Sequence, residues 1–270
     1  MKALRLIPSL LIAFTLSAAA DDIKRIALDG TGPVAAPEQD DGKDGIARIK
    51  KVDQASLELF PTSKAQKPSH GTIMISPGGG YNILAVTHEG RNVAKMLNEA
   101  GWDCAVLLYH VSEGPQTREM AMDDAKKALS LLQKRGGEFG LSTERIGILG
   151  FSAGGHLTAR LAHEAASSNP VQFVILMYAA YLEKDGKILE DVQPGKVPVF
   201  LYVAGDDKLS KSSEVYAAAA KEAGARADLH IPEKGGHGFG LKEGMPETVR
   251  DWPEKLRAFL ADAVLAHSPS

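Results

Sequence analysis

The sequence predicts an α/β architecture, with a mostly parallel central sheet covered by helices on both faces. Three observations carry that expectation. Short apolar runs of strand length alternate with stretches of helical periodicity. The runs lack the in–out alternation of a half-solvated sheet, and one of them gives way to a helix through a Gly-x-Ser-x-Gly motif. With 270 residues, 44% of them hydrophobic, and no linker or fixed-period repeat, the chain reads as one folded domain.

Ahead of that domain, Lys2 and Arg5 precede an apolar run at residues 6–16, and Ser17-Ala18-Ala19-Ala20 ends in an Ala-x-Ala pattern before Asp21. A basic start, a short apolar run and small residues at a cut site mark a secretory signal peptide at residues 1–20. The expectation is cleavage after Ala20 and secretion, to a bacterial periplasm or beyond. The run is too short to span a bilayer, so no membrane anchor is expected after cleavage. Residues 21–45 mix Gly, Pro and acids without periodicity and read as an extended entry segment, leaving 46–267 for the α/β domain.

The formal net charge is −3, and losing Lys2 and Arg5 with the leader takes it to −5. A mild balance of mixed sign argues against a nucleic-acid partner. Cys104, the single cysteine, lies in an apolar run and reads as a buried structural thiol.

Within the domain, residues 72–76, 105–109, 146–149, 173–178 and 199–203 are the strand-like runs, with an edge strand at 56–60. Residues 92–100, 118–135, 215–223 and 249–265 place apolar side chains on one helical face. Strands alternating with helices imply βαβ units.

The chemistry is concentrated at turns. Gly150-Phe151-Ser152-Ala153-Gly154 follows the strand at 146–149 and opens a helix. A sharp strand-to-helix turn forces its serine into a strained backbone, and bulkier neighbours than glycine would clash. The hydroxyl of Ser152 then stands at the carboxyl edge of the sheet, where ligands bind in such architectures. A serine needs a base to take its proton, and the base needs a carboxylate to hold it. Of the eight histidines, His237 sits in the glycine-lined loop Gly235-Gly236-His237-Gly238, past the final apolar run. His156 lies on the helix of Ser152 and reads as support for the turn; His163 and His267 read as helix-surface residues. For the acid, the run at 199–203 ends in Gly205-Asp206-Asp207. Either aspartate could hold His237, with Asp207 preferred and Glu183 or Asp185 more distant options. Donors for a developing oxyanion are expected from the N–H of Ala153 and from the loop Pro77-Gly78-Gly79-Gly80-Tyr81, at Gly79 and Gly80. Tyr81, Phe151, Tyr178 and Phe239 are the candidates for a small substrate pocket. No metal-ligand spacing occurs, so no metal is expected.

Taken together, Pro-Gly-Gly-Gly-Tyr, His88-Glu89-Gly90, Gly-Phe-Ser-Ala-Gly-Gly-His, Gly-Asp-Asp and Gly-Gly-His-Gly-Phe-Gly resemble one branch of the α/β-hydrolase superfamily. It is the branch of bacterial esterases described as acetyl xylan esterase-like or feruloyl esterase-like. The resemblance runs from about Gly71 to the last helix. It implies cofactor-free hydrolysis of carboxylic esters, with small-molecule or polysaccharide esters as substrates. It also favours Asp207, because relatives carry a His-Thr-Ala-Asp-Asp-like run whose second aspartate is the acid. Val203 stands here where that histidine would be, and His110 where an arginine is usual. Two other readings compete: a serine peptidase of the same fold, and a non-catalytic carbohydrate-binding homologue. With only 18 residues between Tyr178 and Val197, there is little room for a lid.

Overall fold

The computed structural model describes residues 23–112, 114, 116–167 and 171–266. The leader expected at residues 1–20, and His267, lie outside the described residues.

The large sheet has eight strands: β1 (Arg25–Ala27), β2 (Ser56–Phe60), β3 (Thr72–Ser76), β4 (Asp103–Leu108), β5 (Ile146–Phe151), β6 (Phe173–Met177), β7 (Val199–Tyr202) and β8 (Ala227–His230). Their spatial order is β1-β2-β4-β3-β5-β6-β7-β8. The β1–β2 and β2–β4 pairings are antiparallel, and every later pairing is parallel. Strands β2 to β7 are buried along their whole length, because helices α1 (Asn92–Glu99), α2 (Thr117–Arg135), α3 (Ser152–Ala165), α4 (Ser210–Glu222) and α5 (Trp252–Phe259) flank the sheet. That burial explains the continuous apolar runs: a strand covered on both sides has no solvent face to fill with polar residues. Cys104 is fully buried in β4, and burial pushes its thiol pKa well above the ordinary value, so it stays protonated.

One boundary differs from the sequence reading. Part of the 21–45 segment is no extended lead-in, since Arg25–Ala27 forms the edge strand of the sheet outside Ser56–Phe60. The cause is a buried charge cluster. Glu58, with no exposed surface, accepts Arg25 Nε at 2.9 Å and Arg91 Nε and Nη2 at 2.8 Å each. Removing one member of such a cluster leaves an uncompensated buried charge, which is why a three-residue strand is held so firmly. Further along, Asp40–Asp41 pairs with Ala47–Arg48 in a small ribbon.

The parallel strands present their carboxyl ends on one edge. Into that edge project the loop after β3, the β5–α3 turn, the segment after β6, and the loops after β7 and β8.

Candidate active site

The β5–α3 junction turns on Ser152, whose φ of 50° lies in the left-handed region. Non-glycine residues hold that conformation only where the surroundings impose it. Here the chain on both sides is pinned: Ser152 O accepts the N–H of Ala180 at 3.0 Å, and α3 begins at once. The flanking glycines allow the packing. A Cβ on Gly150 would collide with the carbonyl of Gly154, and one on Gly154 with the carbonyls of Ser76 and Pro77.

Three side chains from three separate loops meet at this turn. Ser152 Oγ lies 2.9 Å from His237 Nε2, and His237 Nδ1 lies 2.7 Å from Asp207 Oδ2. Asp207 is buried, and its other oxygen accepts the N–H of Leu209 at 2.9 Å. A carboxylate so placed selects the Nδ1–H tautomer of His237, leaving Nε2 free to accept from Ser152. Asp206 is exposed and turned elsewhere, accepting the N–H of Gly236 at 2.8 Å. It shapes the histidine loop without touching the imidazole.

A cavity of about 600 Å³ opens over Ser152 and His237, with Gly79, Gly80, Ala85, Ala180, Tyr181 and Leu209 among its walls. Of the three expected oxyanion donors, Gly79 and Gly80 line the cavity, and Ala153 is buried at the first turn of α3. The positive end of that helix faces the turn.

The four aromatic residues expected to line the pocket do not do so. Tyr81, Phe151, Tyr178 and Phe239 are all at least 97% buried, and none is part of the cavity wall. Phe151 packs against Tyr178 and Trp252, while Phe239 packs against Tyr178 and Tyr202. Adjacency to Ser152 or His237 in sequence places them beside the site, but their rings complete the core beneath it. Tyr178 keeps a supporting role there, meeting the His237 ring edge-on with the two ring centroids 5.0 Å apart.

At the cavity wall, where His88 and Glu89 also lie, the sequence reading missed a buried polar hub. Glu89, 3% exposed, sits in a turn of π-helix at Thr87–Arg91. Its Oε2 accepts the N–H of Gly78 at 2.8 Å, and its Oε1 accepts the Tyr178 hydroxyl at 2.7 Å. That hydroxyl in turn accepts the N–H of Gly240 at 2.9 Å, and Gly240 O accepts Trp252 Nε1 at 2.9 Å. One carboxylate thus links the glycine loop after β3, the end of β6 and the loop that carries His237. Burial pushes the pKa of neighbouring His88 down, which keeps that ring neutral beside the hub. A His-Glu-Gly stretch just past the glycine loop was the available signal, but its partners lie 11 and 89 residues away.

On the far side of the turn, His156 supports Tyr81, its Nδ1 lying 2.7 Å from the phenol oxygen. Among the described residues no cluster of metal-ligating side chains occurs, and no helix is long and apolar enough to cross a membrane.

Comparison with known proteins agrees with this architecture. A family model described as alpha/beta hydrolase fold matches residues 73–194, which include the glycine loop and Ser152. An acetylxylan esterase of Xylanibacter ruminicola is 26% identical over 77% of this chain and 52% of its own length. The chain thus spans about half the length of that curated relative. The crystal structure of an acetyl ester-xyloside bifunctional hydrolase from Caldicellulosiruptor lactoaceticus superposes with a TM-score of 0.64 at 24% identity, covering 77% of this chain and 88% of the other. An alpha/beta hydrolase enzyme from a Medee basin deep-sea metagenome library gives a TM-score of 0.66 at 21% identity over 90% and 97%. By strand order and the match of residues 73–194 to the family model, the chain has the α/β-hydrolase fold, and its sequence resembles the acetyl xylan esterase-like branch of that superfamily.

Proposed function

We propose that the protein is an exported serine carboxylic-ester hydrolase acting on short acyl esters of carbohydrate, with Ser152, His237 and Asp207 as its triad. The observation that carries the reading is the unbroken chain of contacts at 2.7 and 2.9 Å from Asp207 through His237 to Ser152, beside a cavity walled by Gly79 and Gly80. The acetylxylan esterase relative supports the ester and carbohydrate parts of the proposal.

In this reading His237 Nε2 takes the Ser152 proton as Oγ attacks the ester carbonyl. The N–H groups of Ala153 and the Gly79–Gly80 loop receive the oxyanion, and Asp207 stabilises the imidazolium. His237 then gives its proton to the leaving alkoxide. Water, deprotonated by the same nitrogen, releases the acid and restores Ser152. Small walls at Gly79, Gly80, Ala85 and Ala180 suit a small acyl group.

Purified protein should hydrolyse p-nitrophenyl acetate and release acetate from acetylated xylan, and leave a peptide anilide intact. Ser152→Ala and His237→Ala should each lower kcat by several orders of magnitude with unchanged unfolding. Activity near wild type in either variant overturns the triad, and anilide cleavage makes the protein a peptidase. Export predicts that N-terminal sequencing of the secreted product begins at Asp21; a retained Met1 refutes it.

A further inference from the structure

Met120, Tyr181 and Ile231 are the exposed large hydrophobic residues among the described residues, and only Tyr181 of the three lines the cavity over Ser152. Its side chain is 42% exposed, so core packing does not account for it. Nor is it a loose surface ring. The Arg118 guanidinium lies 4.4 Å from its centroid and 5.5 Å from that of Tyr81. His156 meets Tyr181 edge-on at 5.6 Å, and His156 is itself fixed to the Tyr81 hydroxyl. Parts of α2, α3 and the glycine loop therefore converge to hold one ring at the mouth of the cavity. Its backbone is strained as well, with φ at 54°. A bulky L-residue stays in the left-handed region only when its surroundings over-determine it, and such positions cluster where ligands bind.

We infer that Tyr181 is a stacking platform for the sugar ring on the alcohol side of the ester, held rigid by Arg118 and His156. The inference rests on the ester-hydrolase reading above. An aromatic face is electron-rich, and one face of a pyranose presents a flat patch of weakly positive C–H groups. A ring already fixed by a stacked guanidinium loses little conformational freedom when a sugar lands on it. The small residues Gly79, Gly80 and Ala85 and the Tyr181 ring line the same cavity, so in this reading the acyl group sits against the small residues and the ring-sized alcohol against Tyr181.

The test compares substrates with and without a ring in the alcohol. The full chain, Tyr181→Ala, Tyr181→Phe and Arg118→Gln are assayed on acetylated xylo-oligosaccharide, ethyl acetate and methyl ferulate. The ratio of kcat/KM for the oligosaccharide to that for ethyl acetate should fall roughly tenfold in Tyr181→Ala, through KM. It should be retained in Tyr181→Phe and fall a few-fold in Arg118→Gln. An unchanged ratio in Tyr181→Ala overturns the platform while leaving the esterase reading standing. A larger loss on methyl ferulate than on the oligosaccharide shows that the ring stacks on an aromatic acyl group, and also overturns it. If the full chain hydrolyses none of the three esters, the esterase reading fails. Calorimetric titration of xylo-oligosaccharide into the full chain and Tyr181→Ala then decides the platform: weaker binding in the variant supports it, and equal or undetectable binding overturns it.

Discussion

Replacing Glu89 should loosen two loops at once. In Glu89→Ala the N–H of Gly78 and the hydroxyl of Tyr178, now bonded at 2.8 and 2.7 Å, both lose their acceptor in a buried setting. Each buried polar group left unsatisfied costs about 1–3 kcal/mol, so the variant should lose roughly 2–6 kcal/mol, the lower end applying where water enters the vacated space. Glu89→Gln keeps one acceptor oxygen and turns an NH₂ toward the other donor, for a loss of about 1–3 kcal/mol. The kinetic effect should exceed what stability explains. Gly78 leads into the Gly79–Gly80 loop, and the Tyr178–Gly240 bond anchors the loop carrying His237. A displacement of about 1 Å at reacting groups costs on the order of 100-fold in rate, so kcat on p-nitrophenyl acetate should fall roughly 10- to 100-fold in Glu89→Gln with KM changing less. Denaturant unfolding and steady-state kinetics read both quantities. Tyr178→Phe breaks the same chain one link further on, and a double-mutant cycle with Glu89→Gln should return a coupling of at least about 1 kcal/mol. Wild-type kcat together with a wild-type unfolding midpoint in Glu89→Gln would refute the reasoning.

Asp207→Asn should lower kcat by about three to four orders of magnitude, because an amide holds His237 in the wrong tautomer. Asp206→Asn should cost less than about tenfold, since its amide oxygen can still accept the N–H of Gly236; the reverse ranking moves the acid to Asp206. Burial, and secondarily the charge of Arg118, lowers the pKa of His156 from 6.5 to about 4. The unfolded chain therefore binds a proton between those values that the folded one refuses. This contribution to stability is complete above pH 6.5 and is lost as pH falls toward 4, by about 3 kcal/mol. His156→Asn should flatten the acid limb of an unfolding-versus-pH curve, leaving the slope due to His88 and His230, whose pKa values burial also lowers; an identical slope removes His156 from the account. On p-nitrophenyl esters from C2 to C8, kcat/KM should fall or stay flat, because small walls leave a longer chain in water where it gains little of the roughly 0.8 kcal/mol per buried methylene. A steady rise toward C8 would reveal an acyl channel.

Features written in contiguous residues were legible in the sequence. The strand at 146–149 running into Gly150-Phe151-Ser152-Ala153-Gly154 announced the turn, because strain and close packing there admit few residue types. His237 among glycines and Asp207 after an apolar run stood out for the same local reason, and buried parallel strands advertise themselves as unbroken apolar runs. What depended on distant partners was hidden. Arg25–Ala27 is too short for any periodicity to show and joins the sheet through Glu58, more than 30 residues away. Phe151 and Tyr181 are both aromatics near Ser152 in the fold, yet one is wholly buried and the other is 42% exposed at the cavity. Packing decides which ring meets solvent: Tyr178 and Trp252 close over Phe151, while Arg118 of α2 and His156 of α3 hold Tyr181 at the surface. Glu89 is a single carboxylate until the fold brings Gly78 and Tyr178 to its two oxygens. Local sequence singled out the candidate side chains; tertiary structure decided which groups hold them, since the cost of burying a polar or aromatic side chain depends on neighbours that the chain supplies from elsewhere.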